Sequence, residues 1–233
     1  MTNKQLLEKL KEDMEMRGFS KHTKASYYRK AKEITEYFKK PMRQVKIQEL
    51  RDYLLKYLRQ ERGLTEKSVN YYNNVIRFIY DVVIDVPINK RQLPLYKGKR
   101  RLPKILSYEE LNVFFNACEN YKYKTIFMMI YGSGLRISEA TNIRVEDIDS
   151  KNMRIFVRNG KGERERYTVL PKASLEMLRE CYRRYKPNHP EGYMFLNRKG
   201  NPLKVERLRV FFRRYRRKAG ISEDFIVHSL RHA

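Results

Sequence analysis

The apolar residues of the first ninety positions recur at helical spacing, and residues that end helices cut the pattern at short intervals. Leu6, Leu7, Leu10 and Met14 form one stripe, which stops at Gly18. Ser20 offers an N-cap to the next, where Tyr27, Ala31, Ile34 and Phe38 keep the period until Lys39-Lys40-Pro41. Leu50, Tyr53, Leu54, Tyr57 and Leu58 make a third stripe, closed by Gly63. Thr65 opens a fourth through Val69, Tyr72, Ile76, Ile79 and Val83, ended by Pro87. Four amphipathic helices with short connections must bury their stripes against one another, so a small helical bundle is expected.

Beyond it the periodicity lapses. Lys90 to Lys104 holds seven basic residues, no acidic one, and Pro94, Gly98 and Pro103, which reads as a basic tether. A capping box, Ser107-Tyr108-Glu109-Glu110, then starts a second periodic region with Leu111, Phe114 and Phe115 behind it. Thr125 to Tyr131 reads as a buried helix. Two alternating runs, Met153 to Arg158 and Glu165 to Leu170, flank Asn159-Gly160-Lys161-Gly162 and predict a hairpin. Pro171 opens a helix through Leu175, Leu178 and Tyr182, and another carries Val205, Leu208, Phe212, Tyr215 and Ala219 inward. The expected fold is mostly α with a small antiparallel sheet. Its divisions are a helical domain over 1–93, a linker over 94–106 and a second domain over 107–233.

Charge narrows the function. Of 233 residues 52 are Lys or Arg and 27 are Asp or Glu, a net charge of +25. Such an excess repels itself in a compact state, and a polyanion relieves it, so nucleic acid is the expected partner. At 41% hydrophobic residues the chain is too apolar for a disordered basic tail. No apolar run is long enough for a membrane span and no leader is evident, so a soluble cytoplasmic protein is expected. Cys118 and Cys181 fit no disulfide framework or metal pattern and read as reduced packing residues. Both halves are basic, +9 over residues 1–93 and +16 over 94–233, counted from 21 against 12 and 31 against 15 charged residues. The two are expected to grip one duplex like a clamp. Candidate phosphate contacts are Lys97, Lys99, Arg100 and Arg101 in the tether, and Arg198, Lys199, Arg213, Arg214, Arg216 and Arg217 in a stretch of ten basic residues and one acidic.

Given a phosphate substrate, three places carry the chemistry. Gly132-Ser133-Gly134-Leu135-Arg136 turns tightly into a helix start and holds a fixed cation there. Lys161, flanked by Gly160 and Gly162, is a mobile ammonium able to give up a proton. His228 and Arg231 share a helix face at i and i+3, pairing a group that titrates near neutrality with one that does not.

The order Arg, Lys, His-x-x-Arg resembles the tyrosine recombinases, the phage integrase and Xer-type family, over nearly the whole chain. The resemblance rests on Gly134-Leu135-Arg136-Ile137-Ser138-Glu139-Ala140, on Gly160-Lys161-Gly162-Glu163-Arg164-Glu165-Arg166, and on His228-Ser229-Leu230-Arg231-His232-Ala233. It implies a SAM-like core-binding domain followed by a catalytic domain of the DNA breaking and rejoining type. It also implies metal-free, cofactor-free site-specific recombination on a double-stranded inverted-repeat site. Arg136 and Arg231 would hold the scissile phosphate, Lys161 would protonate the leaving 5′-oxygen, and His228 would assist proton transfer. Glu139 would orient the Arg136 loop. A tyrosine would attack phosphorus to give a 3′-phosphotyrosyl link. In the family that tyrosine follows the His-x-x-Arg motif, and none of the 18 tyrosines follows Arg231. The expectation is a catalytic domain that stops short of its nucleophile, unable to form the covalent link alone and monomeric off DNA, where the full-length protein would assemble as a tetramer. A non-catalytic DNA-binding remnant or regulator, or a type IB topoisomerase-like activity, are the alternatives. No RNP-like or GXXG element supports an RNA-binding reading.

Overall fold

The computed structural model describes residues 1–98, 104–158 and 165–233. The chain forms two compact units, Met1–Arg100 and Arg101–Ala233.

The first unit is helical throughout. Helix α1 (Asn3–Met16) starts on a capping box in which Thr2 and Gln5 bond each other's backbone N–H groups. Helix α2 (Lys21–Phe38) is capped by the Ser20 hydroxyl, which accepts the Thr23 N–H at 3.2 Å. Helix α3 (Ile47–Asp52) runs on in π-helical pitch over Tyr53–Glu61, and α4 (Glu66–Phe78) does the same over Ile79–Ile84. The four apolar stripes meet in one core around Leu10, Ile34, Leu50, Leu58, Val75 and Ile76. Buried Tyr80 donates its hydroxyl proton to the Met42 carbonyl at 2.5 Å and ties α4 to the turn after α2.

Polar side chains of α4 also hold the stretch that follows it. Arg77 donates to the Ile88 carbonyl at 3.1 Å, Asn73 to the Pro94 carbonyl at 3.1 Å, and Asn70 both accepts the Tyr96 N–H and donates to the Tyr96 carbonyl. Residues up to Tyr96 are therefore fastened to the first unit by their backbone.

In the second unit α5 (Tyr108–Ala117) begins at the Ser107 and Glu110 capping box. Helix α6 (Tyr121–Ser133) follows and buries Ile126, Phe127, Met129 and Ile130. Next come the short α7 (Ile137–Thr141), three strands, α8 (Lys172–Tyr185), α9 (Val205–Lys218) and a 3₁₀ turn over Val227–Arg231. The strands β1 (Ile148–Asp149), β2 (Arg154–Val157) and β3 (Arg166–Val169) form an antiparallel sheet in the order β1-β2-β3, with Ile155 opposite both Ile148 and Thr168. The β2–β3 hairpin is the expected one, although its Asn-Gly-Lys-Gly turn lies outside the described residues. The two-residue β1 is an addition. Helices α5, α6 and α9 are locked by the rings of Phe114, Phe127 and Phe212, with Phe114 and Phe212 centroids 4.9 Å apart. Cys118 and Cys181 lie in this core, where burial pushes their thiols up to about 12 and about 11. They are inert packing groups. No helix among the described residues is long and apolar enough to cross a membrane.

Candidate active site

Arg136 is delivered by a reversal between α6 and α7. Gly134 ends α6 with φ +60°, a left-handed conformation that costs a side-chain-bearing residue energy. Gly132, two residues earlier, lies so close to the start of α8 that a Cβ would meet Pro171 Cγ and Ser174 Oγ at 3.1 Å. Leu135 is buried beside them and Arg136 becomes the N-cap of α7.

Glu139 fixes the direction of Arg136. Its carboxylate accepts the Arg136 backbone N–H at 2.7 Å and the Arg136 Nη1 at 2.6 Å. A second guanidinium, Arg166 of β3, forks onto the same carboxylate at 2.9 and 2.8 Å. The Glu139 side chain is only 4% exposed. Burial works to raise its carboxyl, but the bonds from Arg166 and from both groups of Arg136 overcome it and hold it down at about 2. One negative charge thus lies between two fixed positive ones, leaving a net positive site. Strand β3 is tied to the same reversal by Thr168, whose hydroxyl donates to the Ser133 carbonyl at 2.7 Å.

His228 and Arg231 ride on the 3₁₀ turn. With three residues per turn, positions i and i+3 eclipse, so the two side chains rise from one face more nearly in line than on an α-helix. Val227 and Leu230 are buried and seat the turn against α6. Burial lowers the His228 pKa, and the charges of His232, Arg231 and Arg136 lower it further. Arg136, ninety-two residues earlier in the chain, thus lies within electrostatic reach of His228. The His228 and His232 rings meet edge to face at 4.5 Å. Of the four expected chemical residues, His228 and Arg231 thus share the 3₁₀ turn, and Arg136 acts electrostatically on His228. The fourth, Lys161, lies outside the described residues, between β2 and β3.

The expected phosphate contacts divide. Lys97 is exposed on the first unit, while Lys99, Arg100 and Arg101 fall outside the described residues. Arg198 and Lys199 are exposed, as are Arg213, Arg214 and Arg217 on α9. Arg216 departs from the expectation: it is 4% exposed and bonded inward, so it offers nothing to a phosphate. Lys204 and Arg207 of the same basic stretch, together with Lys122, which the sequence did not single out, line a groove of about 780 Å³ with Arg198 and Lys199. Its wall is the stacked pair Tyr123 and Phe211, 3.9 Å between centroids. Arg166 was also missed as a partner of Glu139. Its place in the Gly160-to-Arg166 motif was visible, but not its reach to a carboxylate 27 residues away.

Known proteins resemble this chain in sequence and in fold. Residues 104–233 match the phage integrase family, and residues 6–90 match the phage integrase N-terminal SAM-like domain. The chain belongs to that family, the tyrosine recombinases. It is 32% identical to y4qK of Sinorhizobium fredii, named as an integrase/recombinase, over 98% of this chain and 73% of that protein. It is 27% identical to tyrosine recombinase XerA of Pyrococcus horikoshii over 100% of this chain and 79% of that one. Among solved structures, the Tn1549 transposon integrase in complex with circular intermediate DNA superimposes with a TM-score of 0.79 at 19% identity, covering 100% of this chain and 85% of that one. A lambda integrase dimer bound to a core site gives 0.78 at 16% identity, over 100% and 88%. At those identities the likeness is one of fold.

Proposed function

We propose that this chain carries the phosphate-activating part of a site-specific DNA recombinase that acts on an inverted-repeat duplex. The single observation that carries the reading is that Arg136, held by the Glu139 carboxylate, lies within electrostatic reach of His228, which shares its 3₁₀ turn with Arg231. Arg136 and Arg231 hold the non-bridging oxygens of the scissile phosphate and stabilise the extra charge of the five-coordinate transition state. Lys161, on the hairpin, gives its proton to the 5′-oxygen as the P–O5′ bond breaks. His228, whose pKa is lowered by burial and by the charges of His232, Arg231 and Arg136, accepts or returns the nucleophile's proton. The attacking group is a tyrosine hydroxyl, which ends as a 3′-phosphotyrosyl ester and conserves the bond energy for rejoining. No tyrosine follows Arg231 in this sequence, so residues 1–233 are expected to bind the duplex without becoming covalently attached to it. Residues 1–93 and the exposed bases of α9 supply the grip on the backbone. The family match and the DNA complexes of the integrases it resembles in fold support the same reading.

The test supplies a small nucleophile in place of the tyrosine. Residues 1–233 are mixed with supercoiled DNA carrying an inverted-repeat site and treated with hydrogen peroxide. A nick at one phosphate of the site, lost in Arg136→Ala and Arg231→Ala while duplex binding persists, is the expected result. Nicking that ignores both substitutions overturns the assignment, and binding without any nick favours a non-catalytic DNA-binding role. A protein–DNA adduct formed on a suicide substrate without peroxide refutes the missing nucleophile.

A further inference from the structure

We propose that Arg216 is a positioning residue for the turn that bears His228 and Arg231, acting through the backbone of Glu223 to Phe225. The importance of that turn rests on the recombinase reading above. The positioning itself rests on the geometry of the second unit alone.

Arg216 stands in the most basic stretch of the chain, yet its side chain is 5% exposed while that of its neighbour Arg217 is 73% exposed. Its Nη1 donates to the Glu223 carbonyl at 2.8 Å and to the Phe225 carbonyl at 2.9 Å, and its Nη2 to the Glu223 carboxylate at 3.0 Å. Its Nε has no partner. A guanidinium withdrawn from water with one donor unmet, facing a carboxylate that is 77% exposed, is a poor source of stability; apolar side chains commonly replace such groups without loss. What it does supply is a rigid fork of donors that dictates where two carbonyls, two residues apart, must point.

The second anchor comes from the other side. The Ile226 N–H donates to the Ser229 hydroxyl at 3.2 Å. The planar peptide between Phe225 and Ile226 is thus held at its oxygen by Arg216 and at its nitrogen by Ser229. Val227, the first residue of the 3₁₀ turn, follows directly, and His228 comes one residue later. Phe225 and Val227 are buried on either side of this peptide, and Lys104 bonds Asp224 within the same loop. The orientation of the turn is fixed at its first peptide, and Arg216 is the only side chain bonded to the carbonyl there among the described residues.

The test reads His228 without DNA. The chain has four histidines, so in residues 1–233 the imidazole Cε1 proton of His228 is identified by its loss in His228→Gln and titrated by NMR. The measurement is repeated in Arg216→Met and Arg216→Lys at a temperature where melting curves show each variant folded. Release of the turn in Arg216→Met is expected to move the His228 midpoint up toward its ordinary 6.5, because the imidazole then leaves the burial and the neighbouring charges that lower it. Arg216→Lys, which keeps the charge but not the fork, is expected to move it less. An unmoved His228 in folded Arg216→Met overturns the positioning role whatever the DNA assays give. Should that variant not fold, an unmoved His228 in Arg216→Lys does so instead. A moved His228 together with a wild-type chain that binds its DNA site but never nicks it in hydrogen peroxide keeps the positioning role and removes the recombinase reading.

Discussion

Substituting Glu139 by Gln tests whether one carboxylate sets the electrostatics of the Arg136 turn. A carboxyl that ionises at about 2 in the folded chain and at 4.5 when free would contribute roughly 3 kcal/mol at neutral pH. Arg136 and Arg166, its partners, are 36% and 34% exposed, so solvent screens part of that, and about 2 kcal/mol is the expected loss in Glu139→Gln. Because the folded value lies below the free one, the contribution is complete above pH 4.5 and is lost as pH falls toward 2. The gap between wild type and Glu139→Gln should therefore shrink from about 2 kcal/mol at pH 7 to less than half of that at pH 3. In melting temperature the neutral-pH gap corresponds to roughly 6–10 °C for a unit of this size. The chain has no tryptophan, so calorimetry or circular dichroism of residues 1–233, followed through the second unit's transition, is the suitable assay. A gap below about 0.5 kcal/mol at pH 7 refutes the argument, since surface pairs alone reach that. So does a gap of constant size between pH 7 and pH 3, which would mean that the charge on Glu139 contributes nothing.

Three further outcomes follow from the same structure. Gly134→Ala meets no atom within 4 Å but must adopt φ +60°, so it should cost about 1–2 kcal/mol in a denaturant melt, and Gly134→Asn clearly less. Phe212→Ala removes one ring of the Phe114, Phe127 and Phe212 set from a core position 2% exposed and should destabilise the second unit by about 3–5 kcal/mol. Arg213→Ala, at an exposed position on α9, should weaken duplex binding equally for specific and random DNA and reduce the slope of log K against log salt by about 1, read by fluorescence anisotropy across a salt series. An unchanged slope would remove Arg213 from the phosphate-contacting face.

What the sequence made legible and what it hid follow from the range of the interactions involved. The helices of the first unit were readable because each is specified locally, by an apolar stripe, a cap such as Ser20 or Thr65 and a stop such as Gly63. The hairpin was readable from alternation, whereas β1 was not, because the two residues Ile148 and Asp149 cannot display a period and exist as a strand only through pairing with β2. Arg136, His228 and Arg231 stood out as residue types in an order, but their meeting depends on the 3₁₀ turn packing against α6, which no local pattern encodes. Arg216 is the instructive case. Counted as charge, it joins the basic run of Arg213, Arg214, Arg217 and Lys218. Counted by period, it lies four residues after Phe212 and eight after Leu208, both fully inside, and so falls on the stripe that faces the core. The helical phase was therefore the better guide to this arginine than its charge. A charged residue placed on a buried phase needs partners waiting for it, and the Glu223 and Phe225 carbonyls are those partners. The same rule applies to Glu139, whose burial beside the Arg136 turn required Arg166 on β3. In both places the charge that composition assigns to the solvent is spent inside the fold, beside the residues proposed to meet the phosphate.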